Sequence, residues 1–138
     1  DAKIGHDFKE YLLKDKDKVI EIDLTPNRGD CFSHLGVARE LAILEDKKIS
    51  MQEPKITKSK ESIDGKIKVD ILDKDACPRY ACRIIKNVEV RESPDWLKER
   101  LESIGQKSIN NIVDAANYIL FDRGHPMHTF DLDKLNSS

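Results

Sequence analysis

Ser93-Pro94-Asp95-Trp96-Leu97-Lys98-Glu99-Arg100-Leu101-Glu102-Ser103-Ile104-Gly105 reads as one helix with both ends written into it. A hydroxyl cap at Ser93, proline at the first helical position and an acid in the first turn open it. Trp96, Leu97, Leu101 and Ile104 form its apolar stripe, and Gly105 ends it. A second helix follows from Ile109 to about Phe121, with Ser108 as its cap and Ile112, Ala116, Ile119 and Leu120 along one side. Gly124 closes it, and Pro126 forbids its continuation. Residues 125–135 read as a loop entering a strand or turn.

Working back from this helix pair, the pattern changes period. Tyr80 to Val90 is rich in β-formers, broken at Asn87, and Lys66 to Leu72 alternates with Ile67, Val69 and Ile71 on one face. Asp73 to Pro78 could connect the two as a pair. Residues 51–66 lack periodicity and read as a solubilising linker made locally basic by Lys47, Lys48, Lys55, Lys58 and Lys60 around and within it. Further back, Val19 to Leu24 alternates as a strand with Ile20, Ile22 and Leu24 on one face. Pro26-Asn27-Arg28-Gly29-Asp30 is turn chemistry, and Asp30 caps a helix from Cys31 to about Glu45. Residues 6–13 read as one or two helical turns. The expected class is α+β: small mixed sheets with packed helices, forming the incomplete domain or domains of a larger chain.

Composition sets limits on function. The chain has 138 residues, 36% of them charged, with 24 basic and 26 acidic side chains and a net charge of -2. Basic and acidic residues nearly cancel in both halves, so the large positive excess of a polybasic nucleic-acid binder is absent. No apolar stretch approaches the roughly 20 residues of a membrane span. Three cysteines, Cys31, Cys77 and Cys82, contain no CxxC pair, which argues for a reducing, cytoplasmic setting over a disulfide framework. Asp1 opens the chain without an initiator methionine, so a piece of a longer protein is expected.

Side chains able to do chemistry concentrate in the last third. Asn110, Asp114 and Asn117 are spaced i, i+4, i+7 and share a helix face, and His125, His128, Thr129 and Asp131 follow. An imidazole can orient water or accept a proton, and an amide can donate to a carbonyl oxygen, so these residues could form half of a polar pocket. The alternative is structural: the asparagines cap turns and the histidines satisfy backbone groups. Two histidines three apart, without a third ligand, make no metal site. Arg28-Gly29-Asp30 also matches an adhesion tripeptide, but turn and helix cap account for it. His34 reads as a core or edge histidine, Trp96 and Tyr80 as packing residues, and the three cysteines as structural.

Three segments together resemble the beta subunit of bacterial phenylalanyl-tRNA synthetase. They are Glu21-Ile22-Asp23-Leu24-Thr25-Pro26-Asn27-Arg28-Gly29-Asp30-Cys31 running into Ser33 to Leu41, then Cys77-Pro78-Arg79-Tyr80-Ala81, then Ile109 to Asp114 with Asn117-Tyr118 and Gly124-His125-Pro126-Met127-His128-Thr129-Phe130-Asp131. The resemblance implies that residues 1–50 are the second half of a small N-terminal domain, 51–66 a linker, and 67–138 the first part of an editing domain. It implies an α2β2 enzyme that charges tRNA(Phe) using ATP and Mg2+, groups this segment does not bind, with the alpha subunit and tRNA(Phe) as partners. It implies an editing half-site in which Asn117 lines the pocket and His128 positions substrate or water. Two positions depart from the family pattern: Ala116 follows where many members have threonine, and His125 where many have glutamine. Both lie beside the substrate in this reading. Sheet edges left open by such a truncation imply self-association. A non-catalytic RNA- or protein-binding module is the alternative.

Overall fold

A computed structural model describes Ile4 and residues 18–51, 53–57 and 59–135. The expected turns at 6–13 lie outside the described residues. The described residues form three helices, α1 (His34–Leu44), α2 (Asp95–Ser103) and α3 (Asn111–Arg123), and two 3-10 turns, Gly29–Cys31 and Leu132–Lys134. The chain divides into two compact units, one of Asp1–Ile49 with Val90–Ser138, the other Ser50–Glu89.

Among the described residues there is no strand, so the sheets of the expected α+β class are not confirmed. Residues 19–24, 66–72 and 80–90 are strand-like in sequence, yet none joins another in a hydrogen-bonded ladder. Alternation selects which side chains share a face. A strand also requires a partner to take its N–H and C=O groups, and that requirement is not local. Asn87, in the left-handed region at φ 57, interrupts the last of these segments. Ile20, Ile85 and Val90 stay exposed.

The helices form for reasons close to those in the sequence, with their caps redistributed. Asp30 does not cap α1. A 3-10 turn intervenes at Gly29–Cys31, and Ser33 takes the cap, its hydroxyl accepting from the Gly36 N–H at 3.0 Å. Asp30 is drawn away by Arg28, whose Nε and Nη2 donate to its two carboxylate oxygens at 3.0 and 2.9 Å. At the other end of α1, the Lys47 N–H reaches back to the Ala42 carbonyl with Asp46 at φ 49, a Schellman-type end with aspartate where glycine is usual. Pro94 precedes α2 with no side-chain cap bond, and Gly105 ends that helix at φ 79 while the Gln106 N–H closes on the Leu101 carbonyl. Asn110, not Ser108, caps α3, accepting from the N–H groups of Ile112 and Val113, both at 3.0 Å.

In the first unit α3 packs against both α1 and α2. Leu97 and Leu101 of α2 are buried, as is Cys31 beside α1. Trp96 sets its ring edge-on against Tyr118 at 5.7 Å, the packing role expected of it. The N-terminus of α1 meets the C-terminus of α3 closely. His34 Nδ1 lies 3.0 Å from the Phe121 carbonyl, one of the last four of α3, which have no partner inside the helix. Gly124 takes the left-handed conformation at φ 72, and a Cβ there would stand 3.1 Å from the Ser33 hydroxyl. Glycine is therefore favoured at 124 by its backbone conformation, and a Cβ there would also press the Ser33 side chain back by a few tenths of an ångström.

In the second unit Glu61 pairs with both Lys66 and Lys86, and its carboxyl is held down at about 2 by the hydrogen bond from Lys66 first and Lys86 next. Asp73 turns the chain before Cys77, accepting from the N–H groups of Asp75 and Ala76 at 3.1 and 2.9 Å. Among the described residues no helix is long and apolar enough to cross a membrane.

Candidate functional site

The polar face predicted for the last helix is real, but most of it serves the helix itself. The Asn110 carbonyl is committed to the cap of α3. Asn111 exchanges a pair of hydrogen bonds with Arg91: its N–H donates to the Arg91 carbonyl at 2.9 Å, and its Oδ1 accepts from the Arg91 N–H at 3.0 Å. Asp114 is fully buried. Its carboxylate accepts from the hydroxyls of Ser93 and Ser108 and from the Ile109 N–H, the latter two at 2.6 and 2.9 Å. Burial pushes this carboxyl up, but the hydroxyls of Ser108 and Ser93 and the N–H groups of Ile109 and Asn110 outweigh it and hold it below its ordinary 3.8. For Asn110 and Asp114 the structural alternative is therefore the correct one. Ser93 and Ser108, expected as caps, are instead donors to this acid.

Asn117 lies one turn further along α3, half-buried, with Ala116 beside it. None of the side chains of Asn117, His125 and His128 makes a hydrogen bond or ion pair with another described residue. His125 and His128 stand exposed in the segment beyond the Gly124 cap. Asp131 closes the turn Leu132–Lys134, accepting from the Asp133 N–H at 3.2 Å and pairing with Lys134. The residues singled out thus fall into two groups. Asn110, Asn111, Asp114 and Asp131 hold the backbone; Asn117, His125 and His128 are left with their polar atoms uncommitted.

Two cavities lie elsewhere. One of about 80 Å³ sits among the three helices, lined by His34, Arg100, Leu101, Tyr118, Phe121 and Asp122. The other is an open groove along the end of α1, floored by Ala42, Ile43 and Ile49. Neither is lined by Asn117, His125 or His128.

Asp30, Cys31 and Glu40 present ligand atoms within 4.8 Å of one another. Arg28 already fills that space, 2.7 Å from Glu40, 2.9 Å from Asp30 and 3.1 Å from the Cys31 sulfur. Its hydrogen bonds to Asp30 and then Glu40 raise the guanidinium further above its usual range, and Asp30 falls to about 2. The Cys31 thiol is pushed up by burial first and by Asp30 next, away from nucleophilic reactivity. Arg28 and Asp30 are spent on each other, which keeps the turn expected of that tripeptide and removes Asp30 from the helix cap also expected of it.

Comparison with known proteins places these residues in a family context. Residues 76–138 match the B3/4 domain. The whole chain is 50% identical to the phenylalanine--tRNA ligase beta subunit of Fusobacterium nucleatum over 138 residues. It is 48% identical to that of Mannheimia succiniciproducens over 136 residues, 98% of the chain, and 43% identical to that of Thermotoga maritima over 129 residues, 94% of the chain. The chain spans 17% of the first two relatives and 16% of the third. What it aligns with is thus one segment of much longer subunits.

Proposed function

From its end-to-end match to a segment of phenylalanine--tRNA ligase beta subunits, we propose that this chain is part of such a subunit and carries half of an editing site. Residues 1–50 are the second half of a small N-terminal domain, 51–66 a linker, and 67–138 the first part of the editing domain. The whole enzyme, assembled as α2β2 in the cytoplasm with its alpha subunit, joins phenylalanine to tRNA(Phe) with ATP and Mg2+. The segment's task is hydrolysis of tyrosine wrongly attached to that tRNA. Residues 19–24, 66–72 and 80–90 become sheet strands when the rest of the subunit supplies their partners, which restores the α+β class.

The observation that supports this reading is the division of labour on α3. Asn110, Asn111 and Asp114 are consumed by the fold, while the Asn117 side chain makes no hydrogen bond among the described residues. A half-buried amide with no internal partner is available to an incoming ester. Hydrolysis adds water across the ester, releasing tyrosine and the free hydroxyl of the tRNA end. The ester is activated already, so no covalent nucleophile is needed. The chemistry asks for an oriented water and a donor to the developing oxyanion. His128 takes the first role and Asn117 the second. Ala116 withholds a hydroxyl at the neighbouring position, and His125 borders the site. Selectivity for tyrosine over phenylalanine rests on partners for one phenolic hydroxyl, a difference a polar pocket can exploit strongly.

The test is deacylation of tyrosyl-tRNA(Phe) by this chain and by the chain extended through the remaining editing domain, each with and without His128→Ala. Hydrolysis by the extended form alone, falling by about 100-fold or more in the variant, is the expected result. Hydrolysis by neither form overturns the editing reading. Salt-sensitive tRNA binding without hydrolysis points instead to a binding module.

The unpaired segments carry a second expectation. Exposed Ile20, Ile85, Val88 and Val90 in segments with no ladder partner favour pairing between copies of the isolated chain. Sedimentation velocity across a hundredfold concentration range should show concentration-dependent self-association; a monomer throughout overturns this.

A further inference from the structure

We infer that Asp114 is a positioning residue for Asn117, an inference that rests on the editing reading above. Asp114 is fully buried, and its carboxylate is shared among three donors from two places in the chain: Ser93 just before α2, and Ser108 and Ile109 between α2 and α3. Those donors lie 21, 6 and 5 residues away in sequence. One side chain therefore ties both flanks of α2 to the first turn of α3. The reciprocal Asn111–Arg91 pair grips the same turn. At the far end α3 is held by the His34–Phe121 contact and by Gly124 against Ser33.

Asn117 follows Asp114 by three residues, so the two lie on neighbouring positions of one face. Successive residues are turned by about 100° around a helix, so a small rotation of α3 carries the Asn117 amide sideways. Holding a catalytic group in place matters steeply: a displacement of about 1 Å can cost on the order of 100-fold in rate. A buried apolar residue would pack at position 114 with less desolvation, but it would remove three of the bonds that fix the rotation of α3. Asp114 also has no opening through which to meet substrate, which separates its role from that of Asn117.

The experiment uses the full-length subunit assembled in its enzyme and reads kcat and KM for tyrosyl-tRNA(Phe) deacylation beside the rate of phenylalanine charging. Asp114→Ala is expected to lower the deacylation kcat by about 10- to 100-fold, with KM and charging held within twofold. Asp114→Asn should restore kcat to within about threefold. Its amide oxygen can accept from Ile109, and its NH2 can donate to the two serine hydroxyls, which rotate to accept. Ser93→Ala with Ser108→Ala removes two of the donors while leaving the acid, and should give an intermediate kcat if Asp114→Ala fails to fold. Equal losses in the Ala and Asn variants overturn positioning in favour of a charge effect. Unchanged kcat in Asp114→Ala, with a loss in Asn117→Ala, overturns the positioning role and leaves the editing reading standing. Unchanged hydrolysis in Asn117→Ala overturns the positioning role, and unchanged hydrolysis in His128→Ala as well overturns the editing reading with it.

Discussion

Gly36→Ala lowers the stability of the first unit by about 2 kcal/mol, seen as a fall of roughly 10 °C in the thermal midpoint followed at 222 nm. Gly36 is buried in the first turn of α1, where the 3-10 turn Gly29–Cys31 folds back on the helix. A Cβ there would overlap the Asp30 carbonyl oxygen and stand 2.9 Å from both the Asp30 carbonyl carbon and the Cys31 Cα. These are backbone atoms and cannot swing aside as a side-chain tip does. Relieving the overlap lifts the 3-10 turn off α1. That motion exposes Cys31 and parts Arg28 from Glu40, now 2.7 Å apart. Overpacking of this kind costs about 1–3 kcal/mol, and the upper end applies here. Alanine's helix propensity returns about 1 kcal/mol, so the net loss is smaller than the clash. Gly29→Ala is the control, because a Cβ there meets nothing within 4 Å, and its midpoint should move little. Equal midpoints for the two variants would show that the turn does not press on α1.

Asp114→Ala has the larger effect, about 3–5 kcal/mol, because it strands buried donors instead of merely deleting a bond. Ser93 is itself buried, and its hydroxyl and the Ile109 N–H lose their acceptor together. Asp114→Asn keeps the shape and most of the bonds and should cost about 1–2 kcal/mol, the difference between charge-assisted and neutral pairs. The pH dependence follows from the sign of the shift. The folded carboxyl titrates below its ordinary 3.8, so the folded state binds that proton more weakly than the unfolded state does. Its contribution is complete above about pH 5 and is lost as pH falls through the ordinary aspartate range toward the folded value. Urea midpoints at pH 7 and pH 3 should therefore converge between the native chain and Asp114→Asn as the solution is acidified. A gap independent of pH would mean that the carboxylate charge contributes nothing. Asp30 and Glu61, each held at about 2, titrate alike in both proteins and cancel from the comparison.

Local signals proved good at stating where the helices are and how they end. Pro94 before α2, Gly105 after it and Gly124 after α3 sit where proline and glycine chemistry requires, because each constraint acts within a few residues. Cap assignments went astray at Asp30, Ser93 and Ser108 for one reason. Each side chain has two uses within reach, a cap and a competing partner, Arg28 two residues back in the first case and Asp114, 21 and 6 residues on, in the other two, and only the folded chain decides between them. The candidate site divides the same way. Sequence spacing placed Asn110, Asp114 and Asn117 on one face but could not say which of them the fold would consume. His34 reads from sequence as a core or edge histidine, yet it reaches a helix end 87 residues away, a contact no local pattern foretells.

By itself the sequence determined the helical segments, their glycine stops, the Arg28-Gly29-Asp30 turn and the likeness to a tRNA ligase subunit, since all are written in neighbouring residues or in motif order. Only the tertiary structure decided that Asp114 is an anchor, that Gly36 sits against the backbone of Asp30 and Cys31 and Gly124 against the Ser33 side chain, and that the alternating segments form no ladder among the described residues. Those outcomes depend on which distant groups arrive to accept a hydrogen bond, fill a space or pair an edge, and that is a property of the packed chain.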